Sequence, residues 1–592
     1  MGGLGGAGCF VDSEGLSPPT DGFYYPTGLA VSPGGRVLYV ANSDFDLQYN
    51  GGTVQALDLQ RLRKRALEIQ RALNPAQASE GGVEEGAAAD VSAACGSLGP
   101  NDAPVLYPGP CAPLDVASLD GDEEIIRRSA IVGAFASDVL LTHSPPDQRG
   151  ARMFVPVRGD PSVTYFEIAD DRGHPASPEV PPCSVDTDEG TIVDCFYMNC
   201  GPTDRCSREN RLGEDPVEGV GKLPLEPFDV AASPDGTTVV VSHQTEDKAS
   251  LITNPWGPGT RPQLSAILSD LPAQPTELAA VPPPRLVTQL AEAKKVIDYQ
   301  PGFLLTFIAA PQVDLIRASS GAAPTDPPAT LFRSATTPIS AVASGEDARG
   351  IAVDASERQA CEAGCGGPYR ACAAACREGC SCDCDGDDTC QEACDACEAS
   401  CDEACLDPYT TCLAGCAEIP LLAFVAHRYP SSLLIGEVRT TLVEKDGSWV
   451  SGYETLAIHD AVPLAAFPSR VAVGDVIDAD GALRRRAFAV AFDTGLAFSY
   501  DPEARRIDAV IRTGRGPQAI AFDTGVTCTS EREDCDCAAD PQGPGCRSYS
   551  MMYIAHFTDS YLGVVDLDMR NANTFGSMIL TVGRPVPPRE SQ

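Results

Sequence analysis

PTGLAVSPGGRVLYVANS, residues 26–43, is an apolar run that falls into a turn and climbs out as a second apolar run, closed by GGTVQALDL at 51–59. The same word returns along the chain. PFDVAASPDGTTVVVSHQ spans 227–244, ARGIAVDAS with LLAFVAHR covers 348–356 and 421–428, and PQAIAFDTG with MMYIAHFTDSYLGVVDLD covers 517–525 and 551–568. Weaker copies are ASDVLLTH with ARMFVPVRG (136–143, 151–159), TELAAVP with GFLLTFIAA (276–282, 302–310), and PSRVAVGD with RAFAVAF (468–475, 486–492). Short β-rich runs at a recurring interval mean a repeat architecture, because one such unit cannot bury both of its faces alone. Gly133, Gly345 and Gly514 each stand six residues ahead of a first-strand residue (Val139, Ile351, Ile520), an offset that suits a tight turn feeding an inner strand. The expectation is an all-β, seven-bladed β-propeller. Copies two, four and six depart from the word, which leaves six or eight blades open.

Five stretches interrupt the repeats: 60–124, 170–216, 282–302, 355–419 and 528–547. Without them and the two tails about 340 residues remain, near 48 per copy, the size of a four-stranded blade. The words GLAVSPGG…LYVAN…GTV and VG…P resemble the YVTN-type propeller repeat of exported bacterial proteins. The chain then divides into a tail (1–22), blades one to four with the start of blade five (23–356), an inserted hairpin (357–418), the remaining blades (419–586) and a second tail (587–592). Residues 74–124, rich in Ala, Gly and acid, read as wandering, so the 60–124 insert is expected to be partly disordered.

Composition bounds the partners and the compartment. The 592 residues carry 83 acidic against 43 basic side chains, a formal charge of −40, which repels nucleic acid and anionic membrane surfaces. Twenty-five cysteines would need metal or redox work in a reducing cytosol; in an exported protein they read as disulfides. Apart from Cys9, each local cluster is even: 95 and 111; 183, 195, 200 and 206; fourteen from 361 to 416; and 528, 535, 537 and 546. Cys9 follows MGGLGGAG, small residues that resemble a lipobox, although the basic and apolar regions of a signal peptide are missing; lipid anchor and unpaired thiol both stay open. No apolar run of membrane-spanning length occurs.

Between 361 and 416 the cysteines form a near palindrome about 388–389. Offsets of 4, 7, 4 and 4 keep the sulfurs on one helical stripe. Two antiparallel helices meeting along such stripes pair mirror positions, which predicts rungs Cys361–Cys416, Cys365–Cys412, Cys372–Cys405, Cys376–Cys401 and Cys380–Cys397. Cys382, Cys384, Cys390 and Cys394 lie in or near the tip and their pairing is not legible. The competing reading is a thiolate metal site, but C-x2-C knuckles are nearly absent.

Strand direction sorts the loops of a propeller. Turns between first and second strands share a face with those between third and fourth, so all five inserts are expected to project from one face. The other face holds the ends of the second strands, where the register places Asn42, Arg158, His243, His427 and His556, with Phe492 or Asp493 in blade six. Three of only six histidines fall at one equivalent position. In propellers of the resembling kind this face carries ligands, metals and catalytic histidines; the alternative is a polar residue that satisfies loose backbone at a strand end. Asp44 and Asp46 in the DFDLQYNGG loop add carboxylates there.

No G-x-S-x-G elbow, Walker A, H-E-x-x-H or Rossmann glycine fingerprint is present. The expectation is an exported, lipid-anchored, monomeric propeller at the cell envelope, in the periplasm or on the outer membrane. It would bind or scaffold a protein or small molecule without catalysis, with no cofactor, no nucleic acid, and membrane contact only through Cys9. The rival is a propeller enzyme of lyase or lactonase kind, or a divalent-metal protein, using the histidines at the channel mouth.

Overall fold

A computed structural model of the protein describes residues 16–75, 90–145, 148–173, 180–187, 190–257, 259–292, 299–319, 321, 328–378, 380, 388–445, 448–528, 537 and 546–586. Seven four-stranded antiparallel sheets follow one another in chain order. Their innermost strands are Pro26–Val31, Leu140–His143, Pro227–Ala232, Pro275–Val281, Ala348–Asp354, Arg470–Ile477 and Pro517–Cys528. Each blade pairs its strands in sequence, so the fold is a seven-bladed β-propeller. The second and third strands are the most buried, because each is covered by a neighbouring blade on both faces: Val37–Asn42, Thr53–Asp58 and Gly302–Phe307 are buried at every position.

Blade seven, Pro517–Val582, is built from one continuous stretch of chain, so no strand is exchanged to lock the ring. The 60–124 insert closes the seam instead. Its helix Leu59–Leu73 buries Leu62, Ala66, Ile69 and Leu73 in a cluster shared with Met551, Tyr553, Leu580 and Val582 of blade seven. Asp58 caps that helix, accepting from Arg61 N at 3.1 Å. Further on, Leu114 pairs in parallel with Val582, donating N–H to Thr581 O and accepting from Gly583 N, each at 2.8 Å. The open edge of the outermost strand is thereby covered.

Residues 90–124 are therefore built against blade seven, a correction to the wandering segment expected from composition. Composition undercounted the apolar residues because they are spread singly and are completed by a distant blade. Residues 76–89 lie outside the described residues.

All five rungs expected from the palindrome form, with Cα–Cα distances of 5.5–5.9 Å: four join the hairpin helices Ser356–Arg377 and Asp388–Ala417, and the fifth ties Cys397 to Cys380, just past the end of the first helix. Cys95–Cys111, Cys183–Cys195, Cys200–Cys206 and Cys537–Cys546 also close within their clusters. Cys394 is disulfide-bonded as well, while Cys382 and Cys384 lie outside the described residues. All five inserts leave the blades from one face, as strand direction requires, but not all of them project. The 60–124 insert folds back over the seam. The 170–216 insert runs along the outer strand of blade one, pairing Arg205 with Ile131 and setting Arg205 on Asp160 in a loop of the opposite face, and then supplies the fourth strand of blade two, Arg211–Leu212. No helix among the described residues is long and apolar enough to cross a membrane.

Candidate functional site at the channel mouth

Each inner strand opens with the same short word, and its third residue faces the axis. Read around the ring, that position is Gly28, Asp138, Asp229, Glu277, Gly350, Arg470 and Ala519. A register shift at the start of the strand recurs in five blades, between Pro26 and Gly28, Pro227 and Val230, Pro275 and Leu278, Ala348 and Gly350, and Pro517 and Ala519. A bulge of this kind re-aims the side chain that follows it.

Arg470 of blade six donates Nε to Glu277 Oε1 at 2.6 Å and lies 3.5 Å from Asp138 Oδ1 and 3.6 Å from Asp229 Oδ1. Those carboxylates belong to blades four, two and three. A single guanidinium reaches all of them only because it sits on the ring axis. Asp229 Oδ2 accepts from Leu278 N at 2.6 Å and Glu277 Oε2 from Ile351 N at 3.3 Å, so each acid also ties its own blade to the next. Gly350 permits the approach: a Cβ there would stand 2.8 Å from Val471 N.

Three carboxylates face one guanidinium in a place nearly closed to water. Burial pushes the Glu277 carboxyl up to about 7 even against the Arg470 charge. Burial, with the Asp138 charge next, pushes Asp229 well above the usual carboxylate range. Burial thus favours the protonated forms of Glu277 and Asp229, with the Arg470 charge opposing it.

The same mouth holds a cavity of about 220 Å³ that none of the four charged axial side chains lines. Thr27, Ser137, Phe228 and Gln518, each one residue before an axial position, line it together with Phe45, Phe135, Phe492, Phe557 and Arg158. The rings meet at 5–6 Å: Phe45 with Phe135 (5.9 Å) and Phe557 (5.1 Å), Phe492 with Phe557 (6.0 Å). Arg158 is held by Glu226 at 3.0 Å and lies 5.7 Å from the Phe228 ring centre.

The residues singled out in the sequence divide across this site. The second strands end at Asn42, Val157, His243, Phe307, His427, Ala491 and His556. Asn42, His243, His427 and His556 do share a position, on the face opposite the Cys clusters, but it points between blades. All four are buried, the three imidazoles with no exposed surface. His243 Nε2 meets Ser250 Oγ at 2.8 Å and its Nδ1 meets Leu225 O at 3.3 Å; His427 Nδ1 meets Pro430 O at 2.9 Å. His556 stacks on Tyr561 at 4.2 Å, under Gly514 (φ +103°), where a Cβ would strike the Tyr561 hydroxyl. Burial pulls His243 and His556 down to about 3, so both are neutral pegs at physiological pH.

Arg158 is not equivalent to them: Val157 holds that position, opposite Ala136, and Arg158 lies one residue later. That next residue is the one facing the mouth, as Ser43, Arg158, Phe492 and Phe557 show. Alternation of sides along a strand explains the offset of one. Asp46 is exposed and accepts from the Tyr24 hydroxyl, while Asp493 pairs with Arg428 at 2.5 Å. Asp44 is buried; Tyr49 N donates to its Oδ1 at 3.1 Å, its Oδ2 has no partner, and burial pushes the carboxyl up to about 7.

Among the described residues, the clusters with metal-ligand spacing are Cys365, Cys412 and Cys416, and Cys380, Cys397 and Cys401. All six sulfurs are in disulfides and offer no thiolate. Sequence reasoning missed the axial ring, whose signal was present: the third letter of the word reads G, D, D, E, G, R, A, while the residue after it is apolar in every copy (Leu29, Val139, Val230, Leu278, Ile351, Val471, Ile520).

No family model matches the chain, and no curated protein does. Solved structures that it resembles include hydrazine synthase of Kuenenia stuttgartiensis (TM-score 0.37, 8% identity, 94% of this chain and 99% of that one). Others are a protein from Lactobacillus plantarum (0.36, 10%, 83% and 86%) and the periplasmic gluconolactonase of Pseudomonas aeruginosa (0.34, 14%, 77% and 88%). At this level of similarity none of them assigns a reaction or a ligand to this chain.

Proposed function

We propose that the protein is an exported binding propeller without catalytic activity, whose ligand enters the channel mouth opposite the inserts. The observation that carries this reading is the phenylalanine-lined cavity at the channel mouth, where Thr27, Ser43, Ser137, Arg158 and Gln518 supply the polar groups. A concave apolar wall over a few convergent polar groups is the usual form of a small-ligand site. Catalysis by His243, His427 or His556 would need an imidazole nitrogen open to substrate, and all three rings are sealed. The disulfides belong to an oxidising compartment, which supports export. Kinship with YVTN-type exported propellers, a lipid anchor at Cys9, residence at the cell envelope and a monomeric state belong to the same reading.

The test is a thermal-shift screen of small cations, anions and neutral aromatic compounds on the oxidised protein and on Gln518→Trp, which fills the cavity. At least one class should stabilise the wild type and not the variant. Ligands that stabilise both equally would place binding elsewhere, and turnover of a lactone by the wild type would make the protein an enzyme.

A further inference from the structure

We propose that the mouth cavity takes a small aromatic carboxylate, its acid group on Arg158 and its ring against the phenylalanines. This rests on the binding reading above and names the ligand class.

The lining is amphipathic, with a single charge. Five of its side chains are phenylalanines, and Arg158 is the only charged one. Phe557 joins Phe45 and Phe492 in one aromatic cluster, and Phe45 keeps 54% of its surface open. Arg158 stands at the other two rings: its backbone N–H donates to Phe135 O at 3.1 Å, and its guanidinium lies over the Phe228 ring. That guanidinium is not used up. Only Nη2 meets Glu226, in a pair whose side chains are 30% and 36% exposed, a kind of contact that contributes little. Nε and Nη1 have no partner among the described residues, and neither has the Gln518 amide. A carboxylate brings acceptors of the opposite charge to N–H donors that lack one. The phenyl walls call for a ring in edge or offset contact.

Other ligands fit less well. A cation would meet the Arg158 charge, and no carboxylate lines the cavity to receive it. A neutral aromatic compound leaves the guanidinium unanswered, and an inorganic anion leaves the phenyl wall wet. Burial pushes Glu277 and Asp229 toward their neutral forms, so the axial acids oppose an anion less than their number suggests. The formal charge of −40 acts largely through solvent, where it is screened beyond about 8 Å at physiological salt. The volume, about 220 Å³, lies below the range of ordinary ligand sites, roughly 300–1,000 Å³, and suits one ring with a short acid arm.

The experiment titrates oxidised full-length protein calorimetrically with phenylacetate, with its uncharged isostere phenylacetamide, with phenethylammonium and with acetate. Phenylacetate should bind at least about tenfold more tightly than phenylacetamide, the size of a hydrogen bond to a charged group. Arg158→Gln should bring that ratio down to about one. Phe45→Ala, at an exposed position, should weaken both aromatic ligands severalfold and preserve the ratio. Near-ultraviolet circular dichroism checks that both variants keep the propeller. Equal affinity for acid and amide in the wild type would overturn the carboxylate and leave an apolar binding cavity standing. Tighter binding of phenethylammonium, or acetate binding as tightly as phenylacetate, would overturn the proposal too. A ratio unchanged in Arg158→Gln would place the acid group elsewhere and overturn it. If none of the four binds, the aromatic acid is overturned, and the Gln518→Trp screen decides separately whether the mouth binds anything.

Discussion

Two of the buried ionic groups that cross blade boundaries, one at the seam and one on the axis, are composed differently. At the seam, Arg63 donates Nε and Nη2 to the two oxygens of Asp523 at 2.8 and 3.0 Å, and Nη2 also to Gly35 O at 2.7 Å. The Tyr549 and Tyr553 hydroxyls donate to the same carboxylate, and the guanidinium lies 4.9 Å from the Tyr549 ring centre. One cation meets one anion, and the acceptors are used. On the axis, one cation meets three carboxylates. Both groups are buried, so burial does not separate a strut from a site. The ratio of charges does: the seam pairs each charge once, whereas the axis shares one guanidinium among three carboxylates, and burial pushes Glu277 and Asp229 toward their neutral forms.

The seam should therefore show the largest stability effect. Arg63→Met leaves Asp523 buried without its counter-ion and is expected to cost about 3–5 kcal/mol. Urea unfolding of the oxidised protein measures it. Adding Asp523→Leu should recover part of the loss, because an apolar pair of similar volume removes the stranded charge. A loss below about 1 kcal/mol would mean that the apolar cluster of Leu62, Ile69, Tyr553 and Leu580 alone closes the ring.

The axial group should show a smaller effect, and a pH-dependent one. The folded Glu277 carboxyl is pushed up to about 7 from an ordinary 4.5. A proton held more tightly in the folded state stabilises that state at low pH, and the contribution is lost as pH rises from about 4.5 to about 7, at up to 1.36 kcal/mol per unit. Coupling to the neighbouring Asp229 carboxyl reduces this to roughly 1–3 kcal/mol. Glu277→Gln should be flatter than the wild type between pH 5 and 8, gaining relative stability as pH rises. Parallel curves for the two proteins would show that Glu277 is already ionised in the fold, and the push toward its neutral form on the axis would be refuted.

What could be read from the chain follows the same division between local and closed structure. The five rungs of the hairpin were legible because their register is written in their own offsets, 4, 7, 4 and 4, and needs no other part of the molecule; the four tip cysteines, which lie off that stripe, were not. The blades were legible from the two-fold alternation of apolar residues. The seam was not, since Arg63 and Asp523 are 460 residues apart and meet only when the ring closes. The histidines show how fine the limit is: their common position was found, but a strand turns each successive residue to the opposite side. Seven-fold ring geometry was needed to see that the next residue faces the mouth and the third letter of the inner word faces the axis.

The smallest effect on the propeller should come from the hairpin, which is cross-linked within itself. Its base does touch the ring: Arg358 is 1% exposed and donates to Pro282 O and Thr440 Oγ1, and Leu413 and Cys416 pack on Leu286 and Leu442. Above that base the rungs bind only the two helices to each other. Cys372–Cys405 closes 33 residues of sequence, and a lone bridge of that span would contribute about 3–4 kcal/mol on the chain-entropy model. Here Cys365–Cys412 and Cys376–Cys401 already flank it, so its removal frees only the few residues between neighbouring rungs. The double change Cys372→Ser with Cys405→Ser should cost the hairpin less than about 1 kcal/mol and move the propeller's transition by less than about 0.5 kcal/mol. Far-ultraviolet circular dichroism at helical wavelengths follows the first, and the near-ultraviolet signal of the buried blade tyrosines follows the second. A shift in the tyrosine signal comparable to that of Arg63→Met would mean that the ladder braces the ring as the seam does, and the distinction between a self-contained insert and a clasp would be lost.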